Sequence, residues 1–337
     1  METLLRNNIN QGIKRNVEYD CLKGILILLV ILGHSFSFTT DCWHNIIFNA
    51  IYSFHMPLFV MISGYFFYSS LNRPFSSVIK KRFYRLIIPC FIWSLFLLLI
   101  HVFRGDVLFR YNITSLKLVY NTLTSYWYLI CVFALSIFYY PIGNFLNYHD
   151  NKYLKVSLVL VIVWILSVVF YNYIPSFCLK NCQIQRQFIP FGVGLLFNKY
   201  EGKASINKIS ICGALSLFVS FIINKKFGVW IDNYSEVLRI IDGCLMAIFC
   251  FSIFKLLSVI IRKISFVNGI LCYFGKNTLE FYLLHMFIAA LFPWKSFMVL
   301  GNENFISIVV FLLLTCITSL LLAILRFAKV AKFLFVE

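Results

Sequence analysis

Lys23 and His34 stand eleven positions apart on one apolar segment, Tyr19 to His34 (YDCLKGILILLVILGH), and neither side chain enters hydrocarbon cheaply. At ~1.5 Å per residue a helix separates them by roughly 16 Å, so Lys23 can sit at one headgroup layer while His34 hangs near mid-membrane. A histidine at that depth could act as a base, a proton relay or a nucleophile. One hydrogen-bonded to a neighbouring helix would satisfy the same pattern, and the helix alone leaves both readings open. The next apolar segment contains SFHMPLFVMISGYFF, residues 53–67, and runs antiparallel to the first. His55 then falls at much the same depth as His34, so two histidines can converge on one pocket. Pro57 should kink this helix and free a backbone carbonyl. Ser63 and Gly64 read first as a small-residue notch for close helix packing rather than as a nucleophile.

Further candidates follow in KKRFYRLIIP, residues 80–89, where Arg82 and Arg85 lie three apart with Lys80, Lys81 and Tyr84 beside them. A pair of guanidinium groups suits phosphate oxygens, and an aromatic ring beside it suits a stacked base. The same cluster also serves as a positive anchor before a membrane span. Arg186 opens RQFIPFGVGLLF, and NTLEFYLLH (277–285) places Glu280 and His285 in an apolar setting. Those two lie about 140° apart on a helix, so they are not expected to pair with each other. Trp127 and Tyr128 in SYWYL line a pocket or belong to an interfacial aromatic belt.

The elements that must position these residues are membrane helices. Of 337 residues, 61% are hydrophobic and only 13% charged, with a mean hydropathy of +0.85. Apolar runs recur at about 20 residues, the length that crosses a bilayer, and stretches such as Leu26 to Leu32 lack the period-two alternation of a barrel strand. The expected fold is therefore all-α, a polytopic transmembrane bundle of about ten helices. Spans are read near 22–41, 45–68, 84–103, 124–146, 154–173, 187–199, 208–224, 236–260, 270–293 and 304–327.

The +17 net charge is spread over many short loops and does not form the aromatic-interleaved basic face that nucleic acid requires. Placing both termini in the cytoplasm collects most of it on one side: Arg73 to Arg85, Lys152 and Lys155, Lys199 to Lys208, Arg262 and Lys263, and Arg326 to Lys332. Residues 1–20 then form a cytoplasmic N-terminal segment without the pattern of a cleaved signal peptide. No internal repeat or linker divides the chain, so residues 1–337 read as one membrane-embedded domain. Cys178 and Cys182, in a loop expected outside, can form a disulfide. P-loop, GxSxG, HExxH and CxxC signatures are absent, so no metal is expected.

Taken together, these segments resemble acyltransferase family 3, the integral-membrane O-acyltransferases of cell-surface glycans, and within it the branch described as fucose 4-O-acetylase-like. The resemblance spans the chain. It rests on Lys23 and His34 as a basic residue, ten intervening positions and a histidine, on FHMPLFVMISGYFF, and on the Arg82-x-x-Arg85 pair. SYWYL, RQFIPFGVG and NTLEFYLLH follow in family order. One departure is Lys23, where the family pattern has Arg; the charge is kept and the planar fork lost.

The resemblance implies transfer of an acyl group, by preference acetyl, from cytoplasmic acetyl-CoA or another acyl-CoA to a hydroxyl of a glycan or lipid-linked sugar. His34 would be base or transient acyl carrier, with Lys23, His55, Glu280 and His285 around it. Arg82, Arg85, Tyr84 and Lys81 would hold the CoA phosphates and adenine. A bacterial inner membrane is the implied location. The alternative function is a transporter or flippase of a glycan or small anion, which should display repeat symmetry and paired broken helices.

Overall fold

The computed structural model describes residues 17–39, 45–103, 124–148, 183–201, 206–227, 236–296 and 301–335, with scattered positions at 42, 122 and between 155 and 166. Long apolar runs give helices because a helix satisfies every backbone donor within its own segment, as a bilayer demands. The helices are α1 (Val17–Thr39), α2 (Ile46–Tyr68), α3 (Phe75–Arg82), α4 (Ile88–Phe103), α5 (Trp127–Tyr148), α6 (Ile184–Glu201), α7 (Ile206–Phe227), α8 (Glu236–Lys263), α9 (Ser265–Lys276), α10 (Thr278–Leu291), α11 (Glu303–Phe327) and α12 (Ala331–Phe335). Among the described residues, six helices are long and apolar enough to cross a membrane. The protein is an integral membrane helical bundle.

Several expected spans differ in detail. The third is the second half of one continuous helix, Phe75–Phe103, in which α3 and α4 are joined by a π-helical turn, Phe83–Ile87. Its cause is local: Pro89 has no N–H and its ring would strike the Arg85 carbonyl in a regular helix, so the backbone widens by one residue just before it. The ninth expected span, 270–293, is two short helices broken at Asn277, whose φ of −107° and ψ of 27° leave the helical region. The fifth, 154–173, and the Cys178–Cys182 loop lie largely or wholly outside the described residues.

Helix α1 occupies the centre. It packs against α2, α9, α10 and α11, and 56% of its apolar stretch is buried, against 22% for α11 at the periphery. Side chains pin it on several sides. Near its start the Cys21 thiol donates to Asn268 Oδ1 on α9 at 2.9 Å, and Glu18 pairs with Lys255 of α8 at 3.2 Å. At its far end Thr39 and Ser307 of α11 share a buried 2.8 Å hydroxyl bond.

Two seams depend on missing side chains. Along α2 and α6, a Cβ on Gly64 would overlap the Phe191 carbonyl and one on Gly194 the Met61 carbonyl. Along α1 and α9, Gly24 faces Leu271 O and Gly275 faces Asp20 O in the same way. Close backbone approach of this kind supplies the dispersion contact that drives helix association where lipid removes the hydrophobic difference. Pro57 sits within a continuous α2, and its ring packs toward Gly243 of α8.

Gly194→Val should separate α2 from α6 and destabilise the bundle by about 1–3 kcal/mol. Thermal unfolding in detergent followed by size exclusion should record a lower midpoint for this variant. Gly269→Ala, within α9 and with nothing within 4 Å of the added carbon, should not lower the midpoint and should raise it slightly through the helix preference of Ala over Gly.

Candidate functional site

A cavity of about 1100 Å³ opens between α1, α2, the α3–α4 segment, α5 and the α9–α11 group. Its basic residues are Lys23, Arg73, Lys81, Arg82, Arg85, Lys276 and Arg326, and Glu280 is the one carboxylate among its described lining residues. Tyr84 also lines it and is 50% exposed, leaving its ring face open to a ligand. The inner end is apolar and aromatic, built from Val30, Met56, Phe59, Tyr128 and Tyr282.

Arg82 and Arg85 both reach this cavity but do not form a symmetric pair. The π-helical turn between them changes their relative direction: Arg82 turns inward, and Arg85 stays exposed. Arg82 Nη1 donates to Ser136 Oγ of α5 at 2.8 Å, and its guanidinium lies over the Phe67 ring at 4.7 Å. Ser136 in turn donates to Val132 O, so the hydroxyl is oriented with its lone pairs toward the arginine. An inward charge held by a hydroxyl and a ring face is positioned without being neutralised by a carboxylate.

Lys23 is more tightly held than its sequence position suggested. It forms a 2.8 Å ion pair with the buried Asp20 one turn earlier and lies over Phe66 at 5.2 Å. The i, i+3 spacing of Asp20 and Lys23 is the sequence signal for this pair.

His34, His55 and His285 lie near one another, and none of the three is among the described lining residues of the cavity. The His34 and His285 rings are 5.3 Å apart, with a 43° interplanar angle, and His34 also lies within electrostatic reach of His55. Both outer histidines are locked by their own helices, His55 Nδ1 to Ile51 O at 2.7 Å and His285 Nδ1 to Phe281 O at 2.8 Å. A carbonyl only accepts, so Nδ1 carries a proton in each, and in the neutral ring Nε2 is the atom with the lone pair. His285 Nε2 is buried with no hydrogen-bond partner among the described residues. Tyr282, one turn below on α10, links this cluster to the cavity, since it lines the cavity and its ring lies 6.0 Å from His285.

Glu280 and His285 do not pair. Glu280 sits in the first turn of α10 and meets Arg326 of α11 at 3.4 Å, on the basic side of the cavity, while His285 turns to His34. Ser63, read from sequence as packing, has a second partner, Tyr128, at 2.7 Å, and both line the cavity; its neighbour Gly64 alone makes the notch. Neither Trp127 nor Arg186 is among the lining residues. Arg326, Asn277, Lys276 and Arg73 also line the cavity, so the two arginines are more than the topology anchors their loop positions suggest. No group of three or more His, Cys, Asp or Glu side chains among the described residues could hold a metal.

The model of the acyltransferase domain, acyltransferase family 3, matches residues 16–325, and the chain belongs to that family. Two curated relatives share a shorter region. Nodulation protein NolL of Sinorhizobium fredii is 35% identical over 129 residues, covering 36% of this chain and 34% of the relative. Nodulation protein NolL of Mesorhizobium japonicum is 33% identical over 132 residues, 36% of this chain and 35% of its own length. The chain thus aligns with about a third of either relative. No solved structure matches it.

The cavity should be reachable from water at its basic end. With Ser70→Cys or Ser77→Cys, a membrane-impermeant thiol reagent should label the protein well above the unmodified chain, whereas Ser94→Cys, at a site 3% exposed, should not react. Mass spectrometry of the labelled protein reads the difference.

Proposed function

We propose that this integral membrane protein is an O-acyltransferase that moves an acyl group, by preference acetyl, from cytoplasmic acyl-CoA to a sugar hydroxyl of a cell-surface or lipid-linked glycan. The observation that carries the proposal is one arrangement: a cation-lined cavity whose aromatic residue Tyr282 abuts a cluster of histidines, two of them held through Nδ1 by backbone carbonyls. The family membership supplies the reaction class. A bacterial inner membrane with both termini inside is the matching orientation, since it puts the basic mouth on the side where CoA thioesters are made.

In this reading Arg82, Arg85, Lys81 and Tyr84 hold the phosphates and adenine of the donor, and Lys23 adds positive charge along the path. The pantetheine arm runs inward past Ser63, Tyr128 and Tyr282, and the thioester meets His34. As base, His34 removes the acceptor hydroxyl proton; the oxygen forms an ester bond to the acyl carbon, the carbon–sulfur bond breaks, and the CoA thiolate takes up the proton. As acyl carrier, a ring nitrogen of His34 attacks the thioester carbon and the carbon–sulfur bond breaks to release CoA thiolate; the acceptor oxygen then takes the acyl carbon, the acyl–nitrogen bond breaks, and the hydroxyl proton goes to the thiolate. His55 and His285 hold the ring environment of His34 in either case, and Glu280 orients Arg326 at the basic side.

His34→Ala should lower acetyl transfer by about 10²–10⁴-fold with membrane insertion intact, the usual range for a lost general base. Arg82→Ala combined with Arg85→Ala should chiefly raise the apparent KM for acetyl-CoA. Radiolabelled acetyl-CoA supplied to membranes, with label followed into protein, lipid-linked glycan and polymer, measures both. Label transfer that persists at wild-type level in His34→Ala would overturn the mechanism, and no transfer by wild type with a glycan pool present would favour transport instead.

A further inference from the structure

The seven cations around the cavity fall on two walls. Arg73, Lys81, Arg82 and Arg85 come from the α3–α4 segment and its approach; Lys276 and Arg326 come from α9 and α11, with Lys23 on α1. The second wall is built around the helix break at Asn277. Its side-chain amide donates to Tyr273 O at 2.8 Å and accepts from Arg326 Nη2 at 2.6 Å, so both ends of the amide are committed and the guanidinium is held in place. Glu280 approaches the same Nη2 at 3.4 Å. The Arg326 side chain is 39% exposed, so it is oriented without being enclosed.

A break at this point has a second effect. It starts α10 with Thr278, Leu279 and Glu280 in the cavity wall, and the first-turn amides of a helix lack acceptors within it. Arg326, Lys276 and the positive end of the α10 dipole therefore converge on one region opposite the α3–α4 wall. One carboxylate, Glu280, offsets them. Lys276 and Arg326 stay exposed to solvent, so a polyanion entering the cavity meets an accessible excess of positive charge there.

Resting on the acyl-CoA reading above, we infer that the Arg326–Asn277–Lys276 wall is a separate phosphate site that takes the ribose 3′-phosphate of the donor, leaving the diphosphate to the α3–α4 wall. The diphosphate lies in line between adenosine and the pantetheine arm and so follows one wall inward. The monoester branches sideways from the ribose and meets the other. It is close to a dianion at neutral pH, which suits a fixed guanidinium fork.

The test compares binding of CoA and of 3′-dephospho-CoA, by titration calorimetry, to the full-length protein in lipid nanodiscs. Wild type should prefer CoA by about tenfold or more, the worth of a charge-assisted bond, and Arg326→Gln should lose that preference while binding 3′-dephospho-CoA as wild type does. Lys263→Gln, which removes an exposed charge at the end of α8 outside the cavity, should behave as wild type. Arg326→Lys decides the matter if the neutral variant does not fold, because a point charge without the planar fork should retain only part of the preference. An undiminished preference in a folded Arg326 variant, or an equal loss for both ligands, would overturn the assignment. Failure of wild type to bind either ligand would instead remove the acyl-CoA reading on which it rests.

Discussion

Charge desolvation is the constraint on which the rest of this structure depends. A bundle whose outer surface must be apolar carries Lys23 and Arg82 half-buried along one cavity, where each has to be held at tolerable cost, while Arg73, Lys81, Arg85, Lys276 and Arg326 line it with their charges exposed. The protein meets that cost with specific partners: Asp20 for Lys23, Ser136 and the Phe67 face for Arg82, and Asn277 with Glu280 for Arg326. These partners come from α1, α5, α2 and α10, so the helices that wall the cavity are tied together by the groups that make it polar.

Local irregularities follow from the same need. The π-helical turn before Pro89 sends Arg82 inward and leaves Tyr84 and Arg85 at the mouth. The break at Asn277 divides one apolar stretch into two helices and brings Lys276, Arg326 and the start of α10 to one wall. Glycine seams at Gly64 and Gly194, and at Gly24 and Gly275, allow α2 with α6 and α1 with α9 to approach at backbone distance. Through them α1 sits in the middle of the bundle, carrying Lys23 near one end and His34 toward the other.

Proton positions in the histidine cluster are set by backbone rather than by charge. Ile51 and Phe281 carbonyls hold the Nδ1 protons of His55 and His285. His34 has no such local lock among the described residues and lies against His285, so its ring orientation is set by packing rather than by a backbone bond. Tyr282, Met56 and Val30 give the cavity apolar and aromatic wall in addition to its cations, and the Tyr282 ring also lies 6.0 Å from His285.

Composition and run length by themselves determined an all-helical integral membrane protein, because a bilayer leaves the backbone few alternatives. Spacing alone also made Lys23 with His34, the depth match of His55, and the Arg82-x-x-Arg85 pair legible, since ionisable residues stand out against an apolar helix. What only tertiary structure decided was which of them share a space. His285 meets His34, Glu280 meets Arg326, Ser63 meets Tyr128, and Arg82 meets Ser136. None of these pairs has a sequence signal, because their members lie on different helices or turn to different faces of one. Helix rotation and packing depth are fixed by glycine notches and interhelical bonds, which become contacts only once the bundle has assembled.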